Sequence, residues 1–165
     1  MSIETEIAEV VRERGWYLAN VFDNEPPFIY TIGLIESCQH PELIVFGLEE
    51  RDAQWLLASI FVQIRNGVQF NAADIRTVRI VDTDHRVGFR KVHPTQHPLY
   101  LGYAMGYCRH IGRWGELEAM QVFWPDSRGK FPFEAGFASE LSDAQPRLDI
   151  PLTQDEIEEF ERQFE

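Results

Sequence analysis

Between residues 15 and 48 three apolar runs alternate with clusters of turn-forming residues, and this spacing constrains the fold more than any other feature. Trp16–Phe22, Phe28–Ile35 and Leu43–Leu48 have strand length and are rich in β-branched and aromatic residues. Asp23-Asn24-Glu25-Pro26-Pro27 separates the first pair of runs, and Ser37–Pro41 separates the second. Connections this short leave no room for a crossover helix, so consecutive strands should run antiparallel.

The flanking segments carry helical patterns. Ile3, Ile7, Val10 and Val11 sit at helical spacing before Gly15, which closes that helix. Residues 50–66 form a second helix. Its Trp55, Leu56, Leu57, Ile60, Phe61, Val62 and Ile64 cover most of its circumference, which predicts that it is largely buried, and Asn66-Gly67 stops it. Thr77–Asp82 and Arg86–Val92 read as a hairpin around Thr83-Asp84-His85. Pro98 suits the first turn of a helix reaching about Arg109, where Gly102 and Gly106 permit close approach of another element. Glu116–Trp124 is a last strand. Thr153 and Glu156 spell a capping box, Leu152 can staple onto Ile157, and Ile157, Phe160 and Phe164 share one face. The order is that of an α+β fold. It predicts a small antiparallel sheet, or a split-barrel-like core, of about six strands with three to four helices around it. Residues 1–139 form a single α+β domain, and residues 140–165 form an acidic linker and an amphipathic helix docked on it.

The charge is uneven. Of a net charge of −12, residues 140–165 hold −7, from nine acids and two bases. This balance argues against a nucleic-acid binder. It leaves the C-terminal helix as either a solvated face or a docking surface for a basic protein partner, through Glu156, Glu159 and Phe160. No apolar run approaches the ~20 residues of a membrane span. The acidic, helix-patterned N-terminus does not read as a signal peptide, and Cys38 and Cys108 lie in no motif. The expected location is cytoplasmic, with no membrane partner.

Few residues form a recognisable catalytic set. His93 and His97 have a ligand-like spacing, but Pro94 and Pro98 deny them a common helical face, so no metal site is expected. Cys38 and His40 lie too close along the chain to pair as nucleophile and base. There is no phosphate-cradling glycine loop. Trp124–Phe137 packs four aromatics, two prolines, two glycines and four charges into one segment. Such a segment should fold over the body of its own domain or over a ligand. Within it, Asp126 and Glu134 are either carboxyls raised by aromatic walls or anchors that hold the loop with Arg128 and Lys130. Arg86 and Arg90 should share a strand face with Arg79 across the hairpin, either gripping an anion or pairing with the acidic helix. Trp16, Tyr30, Trp124 and Phe131 could stack on a flat ring.

Gly15-Trp16, Pro27-Phe28-Ile29-Tyr30-Thr31-Ile32-Gly33-Leu34, His40-Pro41-Glu42-Leu43 and Gly47-Leu48 resemble the opening of the bacterial domain-of-unknown-function family 4262. Leu101-Gly102-Tyr103-Ala104 and the Trp124–Phe137 segment are similar to its second half, so the resemblance spans residues 6–137. It implies no activity. A fainter similarity in element order, to flavin-reductase-like split barrels, implies a homodimer with flavin between subunits. Residues 36–40 would then lie near the ring and Thr31 on an inner strand. Two functions follow. The first is a non-enzymatic, immunity- or adaptor-like binding module, in which deleting residues 140–165 abolishes partner capture. The alternative is a flavin- or nucleotide-binding split barrel of oxidoreductase type.

Overall fold

The short turns of the first 48 residues fold as their spacing requires. In the computed structural model, which describes residues 1–164, α1 (Ile3–Arg14) ends at Gly15 in the left-handed region. Then β1 (Tyr17–Val21), β2 (Phe28–Ile32) and β3 (Glu42–Phe46) pair antiparallel in sequence. The second run stops earlier than its apolar length suggests. Gly33, at φ 107°, turns the chain into a one-turn helix, α2 (Leu34–Cys38), where a continuing strand and turn were expected. A helix there depends on an acceptor for its first N–H groups, and Glu42 supplies it from β3.

α3 (Glu50–Arg65) follows, then β4 (Ile75–Ile80) and β5 (Thr83–Lys91). Their register, Ile80 opposite Thr83, places the turn at Val81-Asp82 rather than at Thr83-Asp84-His85. The helix expected from Pro98 to Arg109 is broken at Leu101 into α4 (His97–Tyr100) and α5 (Gly102–His110). β6 (Ala119–Phe123) is the last strand, and α6 (Gln154–Arg162) closes the described chain. In α6 both reciprocal bonds of the Thr153–Glu156 capping box are formed.

The six strands form one sheet in the order β1-β2-β3-β6-β5-β4. β1 and β4 each have one neighbour, so the sheet is open, and the split-barrel core is corrected. The sheet is also mixed rather than wholly antiparallel, because β6 inserts beside β3 in parallel. The physical reason is visible in burial. All five residues of β2, of β3 and of β6 are buried. Both faces of these strands are therefore covered, and the covering is helical rather than a second wall of sheet.

One face packs Ile29, Leu43, Val45, Val78, Val87, Phe89, Met120 and Val122 against Ala53, Leu56, Leu57, Ile60, Phe61 and Ile64 of α3. The other packs Phe28, Tyr30, Ile32, Ile44, Phe46 and Ala119 against Ile7 and Val11 of α1 and Ala104 and Tyr107 of α5. Leu148 joins this second layer, held by its N–H to Gln121 Oε1 at 3.0 Å. α3 is less enclosed than its composition suggests: Trp55 is 42% and Val62 56% exposed. No helix among the described residues is long and apolar enough to cross a membrane.

Candidate functional site

The Trp124–Phe137 segment folds over its own domain. Alternation along β5 puts Val87 and Phe89 toward α3 and sends Arg86, Gly88 and Arg90 to the opposite face. There Phe131 is fully buried and stacks on Phe133, centroids 5.3 Å apart. Phe133 meets Phe123 edge-on and lies so close to Gly88 that a Cβ would come within 2.7 Å of its ring. The Asp126 carboxylate accepts from the N–H groups of Arg128, Lys130 and Ala138, each at 2.9 Å. These bonds hold its carboxyl below the ordinary range. Glu134 accepts from Phe131 N–H at 2.9 Å, and Arg128 donates to Gly136 O at 3.1 Å. Both carboxylates therefore shape the loop.

Arg86 and Arg90 do share a strand face, but aromatic rings occupy their guanidinium groups. Arg90 lies 3.6 Å from the Phe133 centroid, and Arg86 lies over Phe131 while donating to Gly129 O at 3.1 Å. Arg79 pairs with Asp84 at 3.0 Å across the hairpin.

Tyr30 and Thr31 belong to the core. Burial pushes the Tyr30 phenol far up, and its oxygen accepts from Tyr103 N–H at 3.2 Å. Thr31 hydroxyl donates to Glu42 Oε1 at 2.8 Å and accepts from Leu43 N–H at 2.9 Å. Glu42, 2% exposed, also receives the N–H groups of Gly33 at 2.8 Å, Leu34 at 3.2 Å and Ile35 at 3.5 Å. Burial nevertheless pushes its carboxyl up to about 7 against the pull of these donors. Trp16 stacks on Phe61 of α3 at 4.4 Å.

His40 and His93 are likewise hydrogen-bonded, and Cys108 is buried. His40 Nδ1 lies 2.9 Å from Pro41 O and its Nε2 accepts from Phe70 N–H, and burial lowers its pKa. Burial raises the Cys108 thiol to about 11. His93 caps the turn at Thr95, and burial lowers the pKa of His97. No three His, Cys, Asp or Glu side chains gather at metal-binding range among the described residues.

Two of the concave surfaces among the described residues bring together side chains singled out above. A cleft of about 810 Å³ lies between the N-terminal half of α3 and the β4–β5 hairpin, with Leu48, Leu56, Ile80, Val87, Trp124 and Pro125 among its lining. Trp124 is positioned by Nε1, which donates to Phe46 O at 2.8 Å. Trp55, with Arg51 stacked 4.2 Å from its ring, stands at the cleft, and so do His85 and Arg86. Trp124 and Arg86 both line this cleft, although the Arg86 guanidinium is held on the other face by Phe131 and Gly129 O. Trp16, Tyr30, Thr31 and Phe131 do not line it. Sequence reasoning missed Arg51 and Trp55 as a site pair, although their i, i+4 spacing on one helix was the available signal.

The second surface is a groove of about 350 Å³ on α6, formed by Leu99, Leu152, Asp155, Glu156, Glu159, Phe160 and Gln163. The three tail residues singled out by charge and periodicity, Glu156, Glu159 and Phe160, line it together. α6 has no buried residue.

No curated protein and no solved structure matches the chain. The family model described as Domain of unknown function (DUF4262) matches residues 10–138, which include the whole sheet and the aromatic segment but not α6. The chain belongs to that family.

Proposed function

We propose that the protein is an acidic, immunity- or adaptor-like binding module rather than an enzyme, and that α6 captures a basic protein partner. The observation that carries this reading is the common groove of Asp155, Glu156 and Glu159 around Leu99, Leu152 and Phe160. Such a surface suits a segment that offers an apolar anchor between lysines or arginines. The concentration of charge in residues 140–165 favours fast encounter with that partner.

The test is a titration of the isotopically labelled full chain with a synthetic amphipathic Lys/Leu peptide and its Glu/Leu counterpart. Amide shifts should concentrate at Leu99 and residues 152–163. Affinity should fall roughly tenfold between about 50 and 300 mM salt. Glu159→Lys or Phe160→Ser should abolish binding. Equal binding of the acidic peptide, or shifts elsewhere, would refute the reading. A chain ending at Leu152 should lose capture while its body stays folded. That cut is cleaner than removing residues 140–165, which would also remove Gln145 and Leu148, each 1% exposed.

A further inference from the structure

The cleft of about 810 Å³ follows from an imbalance between the two faces of the sheet. Six strands about 4.8 Å apart span about 24 Å, whereas one helix covers about 10 Å. On one face α1, α4 and α5 share the cover with the aromatic segment. On the other, α3 is the one long helix among the described residues. It leaves the turn end of the hairpin and the Trp124–Pro125 corner uncovered, and this is where the cleft opens.

Its chemistry is that of a small-molecule site. Volumes of ~300–1,000 Å³, walls mainly apolar and aromatic, and a few polar groups at the mouth characterise such sites. The indoles of Trp55 and Trp124 supply flat surface, and Trp55 is 42% exposed. The charged groups are unequal. Asp84 is taken up by Arg79 at 3.0 Å and the Arg86 guanidinium by Phe131 and Gly129 O, which leaves Asp52 as the lining carboxylate against Arg51. Arg51 lies on the Trp55 ring and makes no ion pair among the described residues. A guanidinium over an indole spends no N–H on the ring and keeps its fork free for an anion beside whatever stacks there.

We propose that this cleft binds a small planar aromatic molecule bearing one anionic group, with the ring against Trp55 and Trp124 and the anion on Arg51. The site is separate from the α6 groove, so either proposal can fail alone.

The full chain, labelled at its indole nitrogens, reports on the ligand through its four tryptophans. Probes are used as pairs that differ in charge: naphthalene-2-carboxylate with naphthalene-2-carboxamide, and adenosine monophosphate with adenosine. The expected result is saturable shifts of the Trp55 and Trp124 indole signals, with Trp16 and Trp114 unmoved. At least one anion should bind ~10-fold or more tighter than its neutral partner. Arg51→Met should remove that preference, while Trp55→Ala weakens both members of the pair. Both side chains are exposed, so neither change threatens the core. Absence of saturable shifts with every probe, equal affinity for charged and neutral members, or an unchanged preference in Arg51→Met would each overturn the proposal.

Discussion

Replacing Glu42 with Gln tests the buried network that shapes the middle of the sheet. The wild-type carboxyl titrates near 4.5 when unfolded and about 7 when folded. Between these values the unfolded chain releases its proton while the folded protein keeps it. Stability is therefore fully present below 4.5 and is lost as pH rises through 7. The full loss is about 3 kcal/mol, of which about 2–3 kcal/mol falls between pH 5 and 8. The Gln variant has no such titration. It instead carries a fixed penalty, because every neighbour of the carboxylate is a donor: Thr31 hydroxyl and Leu34 N–H on Oε1, Gly33 and Ile35 N–H on Oε2. Turned toward Gly33 and Ile35 its NH₂ faces two N–H donors; turned toward Thr31 and Leu34 it faces one, because the Thr31 hydroxyl can rotate to accept. An unsatisfied buried donor costs ~1–3 kcal/mol, and because the wild-type acid at pH 5 already carries one proton among these donors, the deficit there should be about 1–3 kcal/mol. Urea melts of both proteins at pH 5, 6, 7 and 8 measure the gap, which should shrink by about 2–3 kcal/mol as pH rises. A constant gap would refute the reasoning. A widening gap would reverse its sign, meaning that the four donors outweigh burial and hold Glu42 ionised.

Gly33→Ala should cost about 3 kcal/mol or more in a urea melt, since φ is 107° and a Cβ would sit 2.6 Å from Val11 Cγ2; a loss below about 1 kcal/mol would mean that the α1 contact gives way easily. Asp126→Ala removes the acceptor of three N–H groups, so limited proteolysis should begin cutting within residues 124–137 while the sheet survives; an unchanged cleavage pattern would show that the phenyl stack alone holds the segment. Thr153→Ala breaks the capping box and should cost α6 about 1 kcal/mol, seen as roughly fivefold faster amide exchange in residues 156–162 with no change in the body.

The legible parts of the fold were those with local chemistry. Gly15 ends α1, the proline-rich turn joins β1 to β2, and Thr153 with Glu156 begins α6, each through contacts only a few residues apart. Pairing was not legible in the same way. β3 and β6 lie side by side although more than seventy residues separate them, and nothing in either run selects its partner. Their continuous apolar character, Glu42-Leu-Ile-Val-Phe46 and Ala119-Met-Gln-Val-Phe123, was the usable sign. A strand buried on both faces favours helices on both sides over a barrel with a wet exterior. α2 was hidden for another reason: its initiating acceptor, Glu42, lies beyond its C-terminal end and reaches it only after β2 and β3 have paired.

The candidate site divides along the same physical line. Periodicity correctly grouped Arg86 with Arg90 on one side of β5, but it could not say what lies over that side. The segment that does so begins some thirty-five residues later. Its phenyl rings use the two guanidinium groups as partners and leave no bare cationic stripe along the strand. Removal of those cations from the available surface shifts attention to Arg51, which has an aromatic neighbour but no ion pair among the described residues. Tyr30 and Thr31 show the complementary error. Aromatic and hydroxyl side chains on an apolar strand serve a ligand only if one face of that strand stays open, and β2 has none, being buried at all five positions. Trp124 remains at a cleft because β6 ends at Phe123, just where the single helical cover of that face also ends. The two surfaces proposed to bind therefore lie where the layers run out, at the hairpin end of the sheet and on α6, rather than in the middle of the sheet where the sequence is most apolar.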